Sequence, residues 1–185
     1  MSADATNSDI SAIQDADEIL VKTTGLLEKD FEFTNPKILG SGSFGSVIRL
    51  NHPQRKNGLV VKIPHLEDTC EGEKKIWIRL RHENIVPLLR CPVFRPLNIC
   101  CFEMRVYPMD LFNAVQQEEY LERPDALEQL KTWLFQVLCG LDFLHTRQLC
   151  HMDLKSENVL ISKRSTRAML GDFSFLSQAT SRIGR

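Results

Sequence analysis

Residues 151–160 read HMDLKSENVL, and this stretch decides how the rest of the chain is interpreted. A histidine, two acids, a lysine and an asparagine stand close together before the sequence becomes apolar from Val159 to Ile161. The pattern predicts a polar turn that leads into a short buried strand. Clustered acidic, basic and amide groups also predict a chemical site. The remaining sequence is needed to choose between these two interpretations.

The composition indicates a globular protein and excludes several classes of partner. The chain has 185 residues, 43% hydrophobic and 25% charged, enough for one domain or two small lobes. A net charge of −1 argues against nucleic acid and anionic membranes as partners. The amino terminus lacks a signal-peptide pattern, and the six cysteines have no CxxC spacing. We therefore expect a cytoplasmic or nuclear protein with reduced cysteines, whose partner is a small ligand or another protein.

The composition changes near residue 30. Residues 1–30 contain no aromatic side chain and predict a disordered acidic arm. The alternative is a weak docking helix that uses the arm's spaced apolar residues, Ile10, Ile13, Ile19 and Leu20.

From Phe31 onward the pattern is typical of folded structure. Alternating apolar residues separated by Gly and Asn predict three antiparallel strands. Leucines at helical spacing over residues 125–145 predict one long helix with a broad apolar face. The other predicted elements are a helix over 71–81 and strands over 85–89 and 97–104.

A glycine-rich stretch, LGSGSFGSV, lies between two of the predicted strands at residues 39–47. Such glycines let the backbone turn tightly and present N–H groups to a phosphate, although an ordinary hairpin turn explains them equally well. Lys62 ends a predicted buried strand, where its ammonium group needs an anionic partner. On the helix over 71–81, Glu73 shares the apolar face and Glu71 lies nearly opposite, so Glu73 is the predicted partner.

Three polar residues near the end of the chain complete the predicted site. Asn158 and Asp172 offer amide and carboxylate oxygens, which Mg²⁺ prefers. Asp153 can then orient an attacking hydroxyl and accept its proton, while Lys155 neutralises charge on the transferred group. The set predicts a site for a nucleoside triphosphate.

Taken in order, these motifs resemble the signature of the eukaryotic-type protein kinases, and lysine at position 155 resembles their serine/threonine branch. The resemblance implies an α+β fold, with an antiparallel β-sheet N-lobe that carries one helix and a partial, mainly α C-lobe. The implied N-lobe spans residues 31–106. The implied C-lobe spans residues 107–185 and ends in the activation segment.

The resemblance also implies ATP and Mg²⁺ as cofactors and assigns a role to each matching residue. The catalytic residues would be Lys62, Glu73, Asp153 and Lys155, and the metal ligands Asn158 and Asp172. Nucleotide contacts would come from Leu39, Gly40, Ser41, Gly42, Ser43, Phe44, Gly45, Ser46, Val47, Lys62, Met104 and Val106. Met104 would be the gatekeeper beside an adenine-contacting hinge at 105–107, with Phe102 as the alternative gatekeeper.

The implied function is a serine/threonine protein kinase that transfers the γ-phosphate of ATP to protein hydroxyls. The alternative is a truncated kinase-like binding module, a pseudokinase or an inhibitor of another kinase, that binds nucleotide or a partner without turnover. Because the sequence stops soon after Asp172, we expect a protein partner to cover the exposed C-lobe face. The short loops also resemble a compact viral kinase of herpesvirus type, which would act in the host cell.

Some positions depart from the family pattern. Met152 stands where the family usually has an arginine that receives an activation-loop phosphate, so that mode of activation is not expected. Ser174 replaces a glycine, which should restrict backbone movement after Phe173. The short connection between Lys62 and Glu73 predicts a clipped or displaced helix and a strained pair.

Overall fold

The computed structural model describes residues 20–25, 34–42, 45–52, 55–64, 67–94, 99–162 and 167–178. The described residues form two compact units. The first contains the residues up to Lys74 together with Leu88–Val106, and the second contains Lys75–Pro87 together with the residues from Tyr107 onward. The division after Val106 falls where the sequence places the end of the N-lobe, whereas residues 75–87 group with the second unit.

An antiparallel sheet is the framework of the first unit. In spatial order its strands are β1 (Thr34–Gly42), β2 (Gly45–His52), β3 (Arg55–Pro64) and β6 (Phe102–Met104). The three predicted antiparallel strands are therefore confirmed. A separate hairpin pairs β4 (Val93–Phe94) with β5 (Ile99–Cys100). Alternate residues of β2 and β3 join β5 and its neighbour in one buried cluster, which contains Ile48, Leu50, Leu59, Val61, Ile63, Ile99 and Cys101.

A short helix before the sheet, α1 at residues 20–25, contributes to the same cluster. Leu20 is one of the cluster's buried residues, and Thr23 is fully buried. The expectation of a disordered arm is therefore wrong for residues 20–25. Leu20, which the alternative of a docking helix had named, packs in this cluster. The other three residues of that alternative, Ile10, Ile13 and Ile19, lie outside the described residues.

The helix after β3, α2 (Glu67–Trp77), begins and ends four residues before the predicted segment 71–81. It ends at Trp77 because the N–H groups of Arg79 and Leu80 bond to carbonyls three residues earlier, which tightens the chain into a turn. Glu73 is buried, as its place on the apolar face predicted.

The strand predicted over residues 85–89 does not form. Ile85 makes only an isolated bridge to Leu170, and Pro87 has no N–H to offer a sheet. The predicted strand over 97–104 is divided in its described part into β5 and β6. The Cys101 N–H between them donates to the Pro92 carbonyl.

The long helix α5 (Ala126–His145) organises the second unit and confirms the predicted helix over 125–145. Before it come β7 (Met109–Asp110), α3 (Leu111–Gln116) and α4 (Glu118–Leu121), and after it come β8 (Leu149–Cys150), a 3₁₀ turn (Ser156–Asn158), β9 (Val159–Ile161), β10 (Ala168–Leu170) and β11 (Ser177–Gln178). The strands pair in the order β10-β9-β7, with β8 and β11 as a separate pair. Asp110 caps α3, since its Oδ1 accepts a hydrogen bond from the Asn113 N–H at 2.7 Å.

Only part of the apolar surface of α5 is buried. The buried side comprises Trp133, Val137, Gly140 and Leu144. Leu127, Leu134, Phe135 and Leu138 are between 48% and 67% exposed, so the described residues leave part of the apolar surface of α5 uncovered. In the part of the chain that the structure describes, no helix combines the length and apolar character needed to cross a membrane.

The structure corrects the prediction for the cysteines. Cys91 and Cys100 are bonded as a disulfide across the β4–β5 hairpin, with Cα atoms 6.1 Å apart. They are therefore not the reduced packing residues that the sequence predicted. Among the described residues, Cys101, Cys139 and Cys150 are not in disulfide bonds.

Thr23 provides a test of the docked position of α1. Its Oγ1 is buried with no hydrogen-bond partner among the described residues, and an unpaired buried hydroxyl costs about 1–3 kcal/mol. Because valine has nearly the same shape, we expect Thr23→Val to raise the free energy of unfolding by about 1 kcal/mol in urea unfolding experiments. Thr24→Val is the matched control and should give no such gain, because the Thr24 hydroxyl donates to the Leu20 carbonyl at 2.7 Å. A loss of stability in Thr23→Val would contradict the docked arrangement.

Candidate active site

The glycine-rich stretch forms the tip of the β1–β2 hairpin. Gly40 pairs with Val47, Ser41 with Ser46 and Gly42 with Gly45. The Ser41 and Ser46 hydroxyl oxygens lie 2.9 Å apart and share a hydrogen bond. Ser43 and Phe44 lie outside the described residues.

The glycines of this hairpin have different structural roles. Gly45 has φ of +153°, and a Cβ there would lie 2.5 Å from the Ile63 carbonyl oxygen, so the close approach of β2 to β3 requires glycine. A Cβ at Gly40 or Gly42 would meet nothing within 4 Å. Among the described residues, no atom therefore occupies the space where a side chain would begin at these two positions.

Lys62 and Glu73 form the predicted ion pair. The Lys62 Nζ lies 2.8 Å from the Glu73 Oε1, and the two residues are only 5% and 6% exposed. Charges this deeply buried are tolerated when each has an opposite partner. The expected strain in the pair is not observed, since the contact has ideal length. The helix α2 has eleven residues, and the expectation that it is clipped or displaced stays a prediction.

Strand β6 borders Lys62 on the sheet. Phe102 is the register partner of Lys62, whose Nζ lies 6.0 Å from the Phe102 ring centroid. Met104 pairs instead with Val60, so Phe102 rather than Met104 is the β6 residue beside the lysine. Glu103 points to the opposite face, where its buried carboxylate receives two hydrogen bonds from Arg90, at 2.7 and 3.0 Å.

In the second unit, Asp153 is the centre of a hydrogen-bonded set of side chains. Its Oδ2 accepts from the Lys155 Nζ and from the Asn158 Nδ2, each at 2.9 Å. Asn158 also donates to the Asp153 carbonyl at 2.8 Å, which fixes the amide so that its Oδ1 is the atom offered to a cation. The hydrogen bond from Lys155 lowers the pKa of Asp153, burial partly opposes this, and the bond from Asn158 lowers the pKa further. Asp153 is therefore an ionised hydrogen-bond acceptor at neutral pH.

Asp172 belongs to the same neighbourhood. The Gly171 N–H donates to the Asn158 carbonyl at 2.8 Å, which holds the segment before Asp172 against the 3₁₀ turn. The hydrogen bond to Asp153 raises the pKa of Lys155, and the charge of Asp172 adds to this; the same charge only partly offsets the lowering of the Asp153 pKa. Asp172 and Met152 both have left-handed backbone conformations, with φ of +53° and +65°. Such conformations are uncommon outside glycine and cluster at functional sites.

Buried rings hold these two loops in place. The His151 Nδ1 accepts a hydrogen bond from the Asp153 N–H at 3.4 Å, and its Nε2 lies 2.9 Å from the Gly171 carbonyl oxygen, an arrangement that suits the tautomer with a proton on Nε2. Phe173 is fully buried between the His151 ring, at 5.5 Å, and the Trp77 ring, at 5.3 Å between centroids. The Trp77 Nε1 in turn donates to the Val86 carbonyl at 2.7 Å.

The predicted residues are thus distributed over both units. The first contains the glycine-rich hairpin, the Lys62–Glu73 pair, Met104 and the half-buried Val106. The second brings together Asp153, Lys155, Asn158 and Asp172. Sequence reasoning missed the role of Trp77 in packing Phe173 and the bond from Ser174 to Asp172. For Trp77, the available signal was its position four residues after Glu73, on the same face of the helix.

The oxygen donors in the second unit suit a hard divalent cation. Asn158 contributes an amide oxygen and Asp172 a carboxylate, the ligand types that Mg²⁺ prefers. Among the described residues, no three of His, Cys, Asp and Glu come together as a metal-binding group.

Comparison with models of known protein families identifies the family of this chain. A family model described as "Protein kinase domain" matches residues 33–183, most of the chain. The chain belongs to the protein kinase domain family. The predicted fold class is confirmed, with its antiparallel β-sheet N-lobe and mixed α and β composition.

Curated relatives of this kinase domain carry kinase names, and one of the two described next is named a serine/threonine-protein kinase. It is 32% identical over 153 residues to cyclin-dependent kinase F-4 from Oryza sativa subsp. japonica, covering 78% of this chain and 31% of that protein. It is 29% identical over 170 residues to meiosis-specific serine/threonine-protein kinase MEK1 from Saccharomyces cerevisiae, covering 85% of this chain and 34% of that protein. The chain thus spans about a third of the length of these relatives. The expectations of a viral source and of a truncated chain remain predictions.

Substitutions of Gly45 and Gly42 test whether these two glycines differ in their importance for the stability of the hairpin. We expect Gly45→Ala to lower the free energy of unfolding by about 1–3 kcal/mol, because its Cβ meets the Ile63 carbonyl at a positive φ. Gly42→Ala enters open space and should change stability by less than about 0.5 kcal/mol. Urea unfolding of both variants gives the comparison, and equal losses would contradict the distinction.

The titration of Asp153 tests its hydrogen-bonded set. We expect its pKa to lie below the ordinary value of 3.8, and Lys155→Met to raise it by removing the main donor. Because the folded-state pKa is depressed, the stability from this ion pair is present above the ordinary value and is lost as the pH falls through the lowered pKa. Carbon-13 NMR of labelled aspartate carboxyl groups measures the shift. Lys131→Met, which breaks the exposed pair with Glu128 on α5, is the control and should leave Asp153 unchanged.

Proposed function

We propose that this kinase domain catalyses transfer of the γ-phosphate of ATP to serine or threonine hydroxyls of a protein substrate. The observation that carries the proposal is the ionised Asp153 carboxylate, held by Lys155 and Asn158 in the neighbourhood of Asp172. Phosphoryl transfer requires positioned charges more than covalent chemistry, and this set supplies them. The names of the relatives support the serine/threonine branch.

In the proposed reaction, Asp153 accepts a hydrogen bond from the substrate hydroxyl and orients its oxygen toward the γ-phosphorus. A new P–O bond forms, the bond to the β,γ-bridging oxygen breaks, ADP departs, and the hydroxyl proton passes to Asp153. The lowered pKa of Asp153 favours orientation over early proton removal, which suits a transition state with little nucleophile bonding. Lys155, half-exposed beside Asp153, neutralises charge on the transferred group.

The proposed nucleotide and metal ligands divide between the two units. Asn158 and Asp172 would hold Mg²⁺, which neutralises phosphate charge when it is bound. In the first unit, Lys62 would bind the α- and β-phosphates while Glu73 fixes its ammonium group, and the open backbone at Gly40 and Gly42 would face phosphate oxygens. Phe102, beside Lys62, is the better candidate for the gatekeeper, with Met104 further along the same strand face.

A protein partner for α5 is part of the proposal. Leu127, Leu134, Phe135 and Leu138 form an exposed apolar strip along this helix. Strips of this kind mark protein contact sites in soluble proteins. The partner is therefore a protein with a complementary apolar surface, while a cytoplasmic or nuclear location remains the sequence-based expectation.

The proposal is tested by phosphate transfer from γ-³²P-labelled ATP to casein and to the chain itself. We expect Asp153→Asn to reduce the transfer rate by about 10²–10⁴-fold, because the asparagine cannot take the hydroxyl proton. Glu157→Gln is the matched control. Glu157 is an exposed acid four residues away whose Oε2 accepts from Ser156, so transfer should persist.

The alternative function, a kinase-like module that binds without turnover, gives a different result in the same experiment. ATP and Mg²⁺ would raise the thermal unfolding temperature of the unsubstituted chain, yet no labelled phosphate would be transferred. Transfer that survives Asp153→Asn undiminished would overturn the proposed role of Asp153.

A further inference from the structure

The position after Phe173 carries a side chain with a specific contact. The Ser174 Oγ donates to the Asp172 Oδ1 at 2.6 Å, a short distance typical of a hydroxyl bonded to an ionised carboxylate. The Ser174 N–H approaches the same oxygen at 3.4 Å. The glycine usual at this position in the family could make only the backbone contact.

The backbone conformation around this contact lets the Ser174 hydroxyl reach the Asp172 carboxylate without strain at Ser174. Asp172 has φ of +53°, whereas Ser174 is not among the described residues with positive φ, so serine fits its own position without strain. On one side the Gly171 N–H bonds to Asn158, and on the other the Leu176 N–H bonds to the Phe173 carbonyl at 3.1 Å. With Phe173 fully buried, the main chain on both sides of Asp172 is fixed. The remaining freedom of Asp172 is rotation of its side chain, and the bond from Ser174 restrains it.

We propose that Ser174 is a positioning residue that orients the Asp172 carboxylate for a divalent cation. This inference rests on the proposed function, in which Asp172 and Asn158 hold Mg²⁺. A hydrogen bond to one carboxylate oxygen fixes the plane of the group, so that the ligand is arranged before the cation arrives. Removing a residue that orients a metal ligand in this way typically weakens metal affinity about 10–100-fold.

Direct metal binding gives the test. Mn²⁺ binding to the full chain is measured by electron paramagnetic resonance with a non-hydrolysable ATP analogue. We expect Ser174→Ala and Ser174→Gly to raise the Mn²⁺ dissociation constant about tenfold, and Ser174→Thr, which keeps the hydroxyl, to remain within about threefold of the unsubstituted chain. Circular dichroism checks that each variant is folded.

A second measurement separates positioning from a merely structural role. In Ser174→Ala, phosphate transfer should fall at limiting Mg²⁺ and return to within about threefold at saturating Mg²⁺, since only metal affinity is weakened. A loss that persists at all Mg²⁺ concentrations, or that Ser174→Thr does not restore, would overturn the inference. An unchanged or improved Mn²⁺ affinity in Ser174→Ala would overturn it as well.

Failure of this inference is distinguishable from failure of the proposed function. If Asp172→Asn abolishes Mn²⁺ binding but Ser174→Ala does not alter it, the metal site stands and the role of Ser174 is wrong. If the unsubstituted chain binds Mn²⁺ in a Ser174-dependent way but transfers no phosphate, the role of Ser174 stands and the catalytic proposal is wrong. Mn²⁺ binding that is insensitive to Asp172→Asn would overturn both assignments of Asp172.

Discussion

A buried charge has to be paired, and this constraint accounts for the contact at the centre of the first unit. Lys62 and Glu73 are almost completely buried, and each is tolerated because the other lies 2.8 Å away. The pair ties α2 to β3 in the first unit. Removing one partner would leave an unpaired charge in an apolar environment, so the site and the fold of this unit depend on the same contact.

The charged residues of the second unit are only partly buried, and hydrogen bonds hold them in place. Asp153 is held by Lys155 and Asn158, and the lowered pKa of Asp153 follows from those donors. Left-handed backbone at Met152 and Asp172 is maintained by the surrounding packing of His151 and Phe173. Of the described non-glycine residues with positive φ, Asn35, Gln148, Met152 and Asp172, the last is a proposed metal ligand.

Much of this arrangement was accessible from the sequence because it depends on local rules. Alternating apolar residues specify the strands β1 to β3, and leucine spacing specifies α5 to within a residue at its start. The inward side of α2 follows from helical periodicity, which distinguishes Glu73 from Glu71. The order of motifs was sufficient to indicate the family, because each motif encodes a local backbone shape and its polar groups.

What the sequence determined by itself was the strands β1 to β3, the long helix α5 and the protein kinase family, since periodicity and motif spacing act over a few residues. Only the tertiary structure decided which contacts those elements make. It showed that α1 docks through Leu20, that Ile85 makes a bridge without a strand, that Cys91 bonds to Cys100, and that Ser174 holds Asp172. The first three of these contacts join residues from different parts of the chain, whereas Ser174 and Asp172 are two residues apart. Even the contact between Ser174 and Asp172 depends on a left-handed backbone that packing, rather than residue type, imposes.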